Sequence, residues 1–261
     1  MFRLVKWYLD LVTDEGTVVI VYAAALRWPA LRLRYLSTFL ARPREEPVER
    51  SAWSGVALPD EAADTIRVDH AGLGLSGQWH RAAPSTHATL LVDTEGSVQW
   101  DCLMPSATAR VVVDGNILVG AGYVERLTLT RPPWSLPFRG LRWGRYTGAS
   151  RSATWIDLQG DAPRRWVWLD GVPNPEAIPD AIGLHGPHGS GDDWSLRFTP
   201  DRELLNRQAL QVISQRLPVL HALPLGPFGN LHETKYLARG SLHHRGTVVD
   251  EGWVIHEQVT W

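Results

Sequence analysis

Short β-like runs separated by tight turns rich in Asp and Gly recur along nearly the whole chain. Residues 6–12 and 17–28 are joined at Asp14-Glu15-Gly16, as in a β-hairpin. Further runs follow at residues 31–40, 65–70, 74–81, 88–93, 98–104, 109–113, 117–130, 152–158, 165–169, 231–243 and 247–261. Many short strands with closely spaced turns favour a barrel or sandwich over an α/β fold. We therefore predict a mainly β protein.

One segment carries a helical pattern. After Thr199-Pro200, the apolar residues between 204 and 217 fall on one face of a helix, and Pro218 is a suitable end. We expect one helix, near residues 201–216.

The pattern also divides into two halves. A stretch that begins at Arg131-Pro132-Pro133-Trp134 reads as a crossing, and the hairpin pattern resumes after it. Trp7-Tyr8-Leu9-Asp10 and Trp155-Ile156-Asp157 have comparable places in the two halves, as expected of a duplication. We predict domains at residues 1–130 and 131–261, each a β-barrel or half-barrel.

Charge and composition exclude several kinds of partner. The net charge is -2, with 26 Lys and Arg against 28 Asp and Glu, so neither nucleic acid nor an anionic membrane is expected. The longest apolar run, residues 17–26, has about half the length of a membrane-spanning helix. With no signal peptide recognised at the start, we expect a cytoplasmic protein without stable membrane insertion. Cys102 is the single cysteine, so no intramolecular disulfide forms, and we expect it to be a buried small side chain.

Tryptophan is over-represented, with 13 Trp beside 6 Tyr and 5 Phe. Large amphipathic rings suit a barrel core, and they also suit a pocket for a bulky apolar ligand. A lipophilic small molecule is therefore the partner that the composition favours.

Two stretches resemble a cofactor motif or a metal motif but lack the features that such a site needs. The stretch Gly72-Leu73-Gly74-Leu75-Ser76-Gly77 has dinucleotide-binding spacing but precedes a strand-like run instead of a helix. Its glycines are expected to mark a strand bend. His185 and His188 lie in a Gly-rich loop, and no set of three or four convergent zinc ligands is recognisable. We expect neither a cofactor nor a metal.

Several short motifs together resemble a known family. They are the opening Trp7-Tyr8-Leu9-Asp10, the Trp100 strand with Arg110-Val111, the Gly120-Ala121-Gly122-Tyr123 segment and the ending Trp253-Val254-Ile255-His256-Glu257. The chain resembles the carotenoid hydratase (hydroxyneurosporene synthase) superfamily, which includes AttH-like proteins and is related to lipocalin-type Diels–Alderases. The resemblance implies two lipocalin-like domains in tandem and a ligand site between or inside them.

The family's acid chemistry is assigned to a His-x-Trp strand and a Tyr-His-Asp strand. Here the first reads Val98-Gln99-Trp100 and the second Tyr123-Val124-Glu125, so Trp and Tyr are kept, both His are absent, and Glu replaces Asp. The resemblance thus points to Glu125, Tyr123 and Trp100 as candidate catalytic residues, in a site altered from that of the hydratases.

The chemistry of these residues can also be argued directly. Tyr123 and Glu125 are two apart on a strand, so both face the same side. If that side is a barrel interior, burial would raise the pKa of Glu125 and keep it protonated. A neutral acid in an apolar pocket can protonate an alkene or polarise a carbonyl, and Trp100 could stabilise the developing cation. This gives acid-assisted hydration, cyclisation or isomerisation of an isoprenoid- or polyketide-type substrate.

Two alternatives stay open at this point. Glu125 could be a structural group, paired with Arg110 or Arg145, and the protein a non-catalytic carrier or sensor of a lipophilic ligand. Tyr8, Asp10, Arg145, Trp155, Glu233 and His256 are further candidate ligand-binding residues, each with packing or ion pairing as its alternative role.

Overall fold

The computed structural model describes residues 1–29, 31–174, 178–180, 183–185, 194–208 and 231–260. Strand makes up 74% of it and helix 3%, so the prediction of a mainly β protein is confirmed. Within the described residues, no helix is long and apolar enough to cross a membrane.

The chain forms two compact units, Met1–Pro132 and Pro133–Trp261, each with its own antiparallel sheet. The strands of the first unit are β1 Arg3–Val12, β2 Val18–Trp28, β3 Leu31–Ala41, β4 Val48–Ala52, β5 Asp60–Glu61, β6 Thr65–His70, β7 Leu75–Arg81, β8 Thr86–Asp93, β9 Gly96–Val113 and β10 Asn116–Leu129. Those of the second are β11 Phe138–Gly148, β12 Ser152–Gly160, β13 Arg164–Leu169, β14 Val172–Pro173, β15 Ile178–Asp180, β16 Gly183–His185, β17 Trp194–Gln208, β18 His232–His244 and β19 Thr247–Thr260. Short 3₁₀ turns cover Ala71–Leu73 and Pro133–Ser135.

Both sheets are wound in the same way. The first has the order β4-β3-β2-β1-β10-β9-β7-β6-β5, and the second has the order β14-β13-β12-β11-β19-β18-β17-β16-β15. In each, the first four strands form a meander and the first strand pairs with the last. β8 lies off this path and pairs with β9, and the corresponding stretch between β17 and β18, residues 209–230, lies outside the described part of the chain. The prediction of two β-barrel or half-barrel domains in tandem is confirmed.

The two units do not correspond in the way that the sequence predicted, with residues 7–10 matched to residues 155–157. Asp10 lies on β1, whose counterpart by connectivity is β11, whereas Asp157 lies on β12. The two aspartates are therefore not equivalent, and that interpretation is wrong.

The helix predicted near residues 201–216 is also wrong for residues 201–208. Trp194–Gln208 is one strand, paired along its length with β18, and residues 209–216 lie outside the described part of the chain. Its register shifts twice, between Pro200 and Arg202 and between Glu203 and Leu205. Such bulges break the alternation of a strand, which is the pattern that distinguishes it from a helix, and Leu204 and Leu205 lie at the second of them. The other apolar residues of the predicted helix lie outside the described part of the chain.

The core of the first unit fills the inner face of its sheet. Leu9 and Leu11 of β1 alternate inward and are fully buried, and Ile66 and Val68 join the same cluster from a distant strand. Each such side chain contributes about 1.5–3 kcal/mol on burial. The inner faces of neighbouring and distant strands thus enclose one core, which is the reason the sheet curls.

Trp79 is fixed at the centre of this core. It is fully buried, and its Nε1 donates to the backbone oxygen of Asp10 at 2.7 Å. A Cβ at Gly77 would lie 2.6 Å from the Trp79 ring, and one at Gly122 would lie 2.7 Å from it. Gly77, inside β7, therefore serves packing, and Gly74, where φ is +58°, makes the turn before that strand.

The second unit has a corresponding core around Tyr146 and Trp155. The Tyr146 hydroxyl donates to Asp250 Oδ2 at 2.9 Å, and Asp250 also accepts from the backbone N–H of Arg151 at 3.1 Å. This carboxylate ties the turn between β11 and β12 to β19.

Gly144 gives a test of how closely this core is packed. A Cβ there would lie 2.0 Å from Cζ2 of Trp155, its cross-strand neighbour. We expect Gly144→Ala to lower the free energy of unfolding by about 1–3 kcal/mol, because neither group can move without disturbing the core. Urea denaturation measures the loss. The same substitution in a Trp155→Leu background is expected to cost less; an equal cost in both would show that Trp155 is not the obstacle.

Candidate functional site

The candidate site begins with the pairing of β1 and β10. Tyr8 is directly opposite Glu125, and Asp10 is directly opposite Tyr123. Residues that are opposite each other, or two apart on a strand, share one face of a sheet. These four side chains therefore lie together, on the face opposite the Leu9 core cluster and not in the barrel interior.

Trp100 joins the group from β9. The register places Cys102 opposite Glu125, so Trp100, two residues earlier, reaches the same face. Trp100 Nε1 donates to Glu125 Oε2 at 2.6 Å, and the Tyr123 hydroxyl donates to the same oxygen at 2.8 Å. Two donors from different strands thus fix one carboxyl oxygen. The structure brings together all three residues predicted as catalytic.

Burial makes this arrangement rigid. Tyr123 is fully buried and Trp100 is 2% exposed, whereas Glu125 is half-buried. Burial raises the pKa of Tyr123 well above its usual range, and the nearby Cys102 and Glu125 add to the shift. Tyr123 therefore keeps its proton at all physiological pH values and remains a hydrogen-bond donor.

Cys102 is buried, as the sequence predicted. It is fully buried, with its Sγ 3.9 Å from the backbone oxygen of Val124. Burial raises the pKa of the Cys102 thiol well above its usual value. A thiol that stays protonated is a poor nucleophile.

Tyrosine rings extend the site along the sheet. The Tyr8 ring meets those of Tyr22 and Tyr123 edge-on, with centroid distances of 5.4 Å and 6.1 Å. Asp10, beside them, is fully buried. Tyr8 and Asp10, predicted as ligand contacts, thus belong to the same face as Glu125.

Arg126, next to Glu125 in sequence, is directed to the other face of the sheet. It donates to both oxygens of Glu61, at 2.8 and 2.9 Å, and to Asp101 Oδ2 at 3.1 Å. Its charge is thus balanced by two carboxylates other than Glu125.

The remaining candidates belong to the second unit, on two faces of its sheet. Arg145 is fully buried, and its NH1 donates to Thr147 Oγ1 and to the Trp253 backbone oxygen, both at 3.3 Å. Glu233 lies 3.6 Å from Arg207 and 3.8 Å from Lys235.

Trp155 and His256 lie on the inner face of that sheet. Trp155 stacks on Phe198 at 5.8 Å in the core cluster. The His256 ring lies between those of Phe198 and Tyr236, each at 5.2 Å. Burial, aided by the charge of Lys235, lowers the pKa of His256 to about 4, so the ring is neutral near pH 7.

Sequence reasoning missed Lys235. It is fully buried on β18, hydrogen-bonds to Glu257 on β19, and has its Nζ 5.4 Å from the centroid of the Trp143 ring. A lysine two residues after Glu233, in a strand of alternating burial, is the signal that could have found it. Within the described ranges, no group of three or more His, Cys, Asp or Glu could hold a metal, and His188 lies outside them.

The shared oxygen of Glu125 has a measurable role in stability. Glu125→Leu removes the acceptor of two buried donors, and we expect the free energy of unfolding to fall by about 1–3 kcal/mol. Glu125→Gln keeps an acceptor oxygen and should cost less. Urea denaturation of both variants measures the difference; equal losses would mean that the two hydrogen bonds contribute little.

His256 makes the free energy of unfolding depend on pH. The pKa is about 4 in the folded chain and 6.5 for an ordinary histidine, so the unfolded chain binds more protons between these values. The free energy of unfolding should therefore fall as the pH is lowered from about 6.5 to 4. Denaturation curves of the parent and His256→Gln test this, and identical pH slopes would contradict it.

Comparison with known proteins reveals similarity in structure only. No protein-family model and no curated protein sequence matches the chain. A protein assigned as AttH from Nitrosomonas europaea superposes with a TM-score of 0.58 and 11% identity, over 98% of this chain and 92% of that one. Kievitone hydratase from Nectria haematococca gives 0.59 and 13%, over 98% and 88%. CghA, crystallised with Sch210972, gives 0.60 and 11%, over 99% and 88%. The predicted tandem lipocalin-like fold is confirmed, and this chain shares it with AttH-type and hydratase proteins.

Proposed function

We propose that this protein binds a hydrophobic small molecule of isoprenoid or polyketide type at the Glu125 face and promotes its hydration, cyclisation or isomerisation by proton transfer. The observation that carries the proposal is the convergence of Trp100 and Tyr123 on one oxygen of Glu125. We place this activity in the cytoplasm, as the sequence indicates.

The hydrogen bonds assign roles to the two carboxyl oxygens. Oε2 accepts from both donors, so a proton carried by Glu125 resides on Oε1. When that proton is transferred to a substrate, negative charge develops on the carboxylate. The Trp100 and Tyr123 donors already point at Oε2 and stabilise this charge without reorganisation.

The neighbouring aromatic rings suit the positive charge that develops on the substrate. Protonation of an alkene leaves a carbocation, and the faces of aromatic rings attract cations. Trp100, Tyr8 and Tyr22 supply such rings on the Glu125 face. An apolar substrate packed there would have its cation stabilised while bulk water is excluded.

The reaction balances without a redox partner. In hydration, an alkene carbon takes the Glu125 proton, water adds to the cation, and a proton from that water returns to the carboxylate. In isomerisation or cyclisation, a proton lost from the cationic carbon skeleton takes its place. Neither route oxidises or reduces the substrate.

The structural comparison supports the class of reaction. One protein of the same fold is named as a hydratase, and another was crystallised with Sch210972. The fold alone hosts many activities, so the proposal rests chiefly on the Glu125 cluster.

A carrier of a lipophilic ligand is the second candidate. The complete burial of Tyr123 and Asp10 favours it, because buried hydrogen-bonded groups also serve to hold a sheet together. Such a protein would bind the same molecules and leave them unchanged.

The decisive experiment incubates the protein with a lipophilic extract in D₂O. Native mass spectrometry identifies bound compounds, and chromatography with mass detection follows their conversion. Carbon-bound deuterium in a product would report proton transfer. Glu125→Gln is expected to retain binding and lose turnover by roughly 100-fold or more, the size of a general-acid contribution.

Glu46→Gln is the matched control, because Glu46 is exposed in the loop before β4. It should behave like the parent in both binding and turnover. Bound compounds that are never converted by the parent would establish the carrier, and turnover unaffected by Glu125→Gln would refute the assigned acid.

A further inference from the structure

A cavity of about 800 Å³ opens from the inner side of the first unit's sheet. It is lined by Arg3, Val5, Trp7, Ala25, Leu26, Arg27, Arg32, Leu33, Arg34, Leu58, Arg126 and Thr128. Its volume lies within the usual range for small-molecule sites. Trp7 and Arg126 face it, whereas Tyr8 and Glu125 face the other side of the same two strands, so the cavity is separate from the Glu125 site.

Three arginines form a row across its mouth. In the antiparallel ladders, Arg3 is directly opposite Arg27, and Arg27 is directly opposite Arg32. Directly opposite side chains have Cβ atoms about 4.5–5.5 Å apart, and like charges so placed destabilise a sheet. Three guanidinium groups on adjacent strands are therefore unfavourable for folding by themselves.

The other two arginines of the cavity are held by the protein. Arg126 is bound by Glu61 and Asp101, and Arg34 NH1 donates to the Val56 backbone oxygen at 3.3 Å. For Arg3, Arg27 and Arg32, by contrast, no carboxylate among the described residues lies within ion-pair distance.

Val5, Trp7 and Leu58 form an apolar floor beside this row, next to Thr128 and the ion-paired Arg126. Val5 and Leu58 pack against the core cluster, and Trp7 is held by its Nε1, which donates to Glu61 Oε1 at 3.0 Å. The arginine side chains are exposed, so their charged ends lie between this floor and the solvent. The cavity thus combines an apolar interior with a cationic mouth.

We infer that this cavity binds single amphiphilic molecules with an apolar body and a carboxylate or phosphate head. The body would occupy the floor lined by Val5, Trp7 and Leu58, and the head would bridge Arg3, Arg27 and Arg32. Guanidinium groups bind both kinds of oxyanion through paired N–H donors. The bound anion would also relieve the repulsion within the arginine row. This inference does not depend on the chemistry of Glu125.

The test compares decanoate, decyl phosphate and uncharged decan-1-ol by isothermal titration calorimetry. The two anions should bind more tightly than the alcohol by roughly tenfold or more, the size of one charged hydrogen bond. Inorganic phosphate, which lacks the apolar body, should bind more weakly than decyl phosphate.

The double variant Arg27→Gln/Arg32→Gln should remove the preference for the anions. Arg67→Gln is the control, because Arg67 is exposed on β6 and does not line the cavity. In the absence of ligand, the double variant should also unfold at a higher temperature than the parent, since it removes like charges. A purely structural arginine row would give a lower unfolding temperature.

Equal binding of decanoate and decan-1-ol would overturn the inference. So would anion binding that survives in the double variant, which would locate it elsewhere. Binding only to vesicles that contain phosphatidylglycerol, with no binding of free decanoate, would show that the arginines recognise a membrane surface instead.

Discussion

The pairing of β1 with β10 is the constraint on which both halves of the first unit's chemistry depend. It joins the first and last strands of the unit and fixes which residues share a face. Tyr8 and Glu125 go to one side, and Trp7 and Arg126 go to the other. A slip of one residue would exchange these sets, bringing the Arg126 charge into the Glu125 site and the carboxylate into the arginine-lined cavity. The apolar alternation of β1 prevents this, because Leu9 and Leu11 must remain in the core.

Much of this architecture is legible in the sequence, because strands and tight turns have local causes. The turns at Asp114-Gly115 and Arg245-Gly246 lie in the gaps between predicted strand runs, after residues 113 and 243, with positive φ at both residues of each. Residues 201–208 were mispredicted as helix because their strand depends on pairing with β18, which no local pattern reveals. β9 was read as two runs, although Gly96–Val113 is continuous, because Pro105 and its neighbours interrupt the apolar pattern without ending the strand.

The candidate site was likewise predictable only in part. Tyr123 and Glu125 could be placed on one face from their spacing alone, and Trp100 was added by the family resemblance. The expectation that this face is a barrel interior could not be tested by spacing, because both faces of β1 and β10 carry buried residues. The arginine row could not be predicted from the sequence for a further reason. Nothing in the sequence distinguishes Arg3, Arg27 and Arg32 from other arginines, and only the register of three strands places them opposite one another.

The pairing of first and last strands in the middle of each sheet also has a consequence for synthesis. β1 has two neighbours, and β2 is made almost at once, whereas β10 ends at Leu129. During translation, one edge of β1 therefore stays without its partner until nearly the whole first unit has left the ribosome. An unpaired edge next to apolar residues is a site of aggregation, and contacts so distant in sequence form slowly. The chain meets this hazard twice, because β11 must wait in the same way for β19. Protection of nascent chains is thus most needed shortly before β10 and β19 emerge.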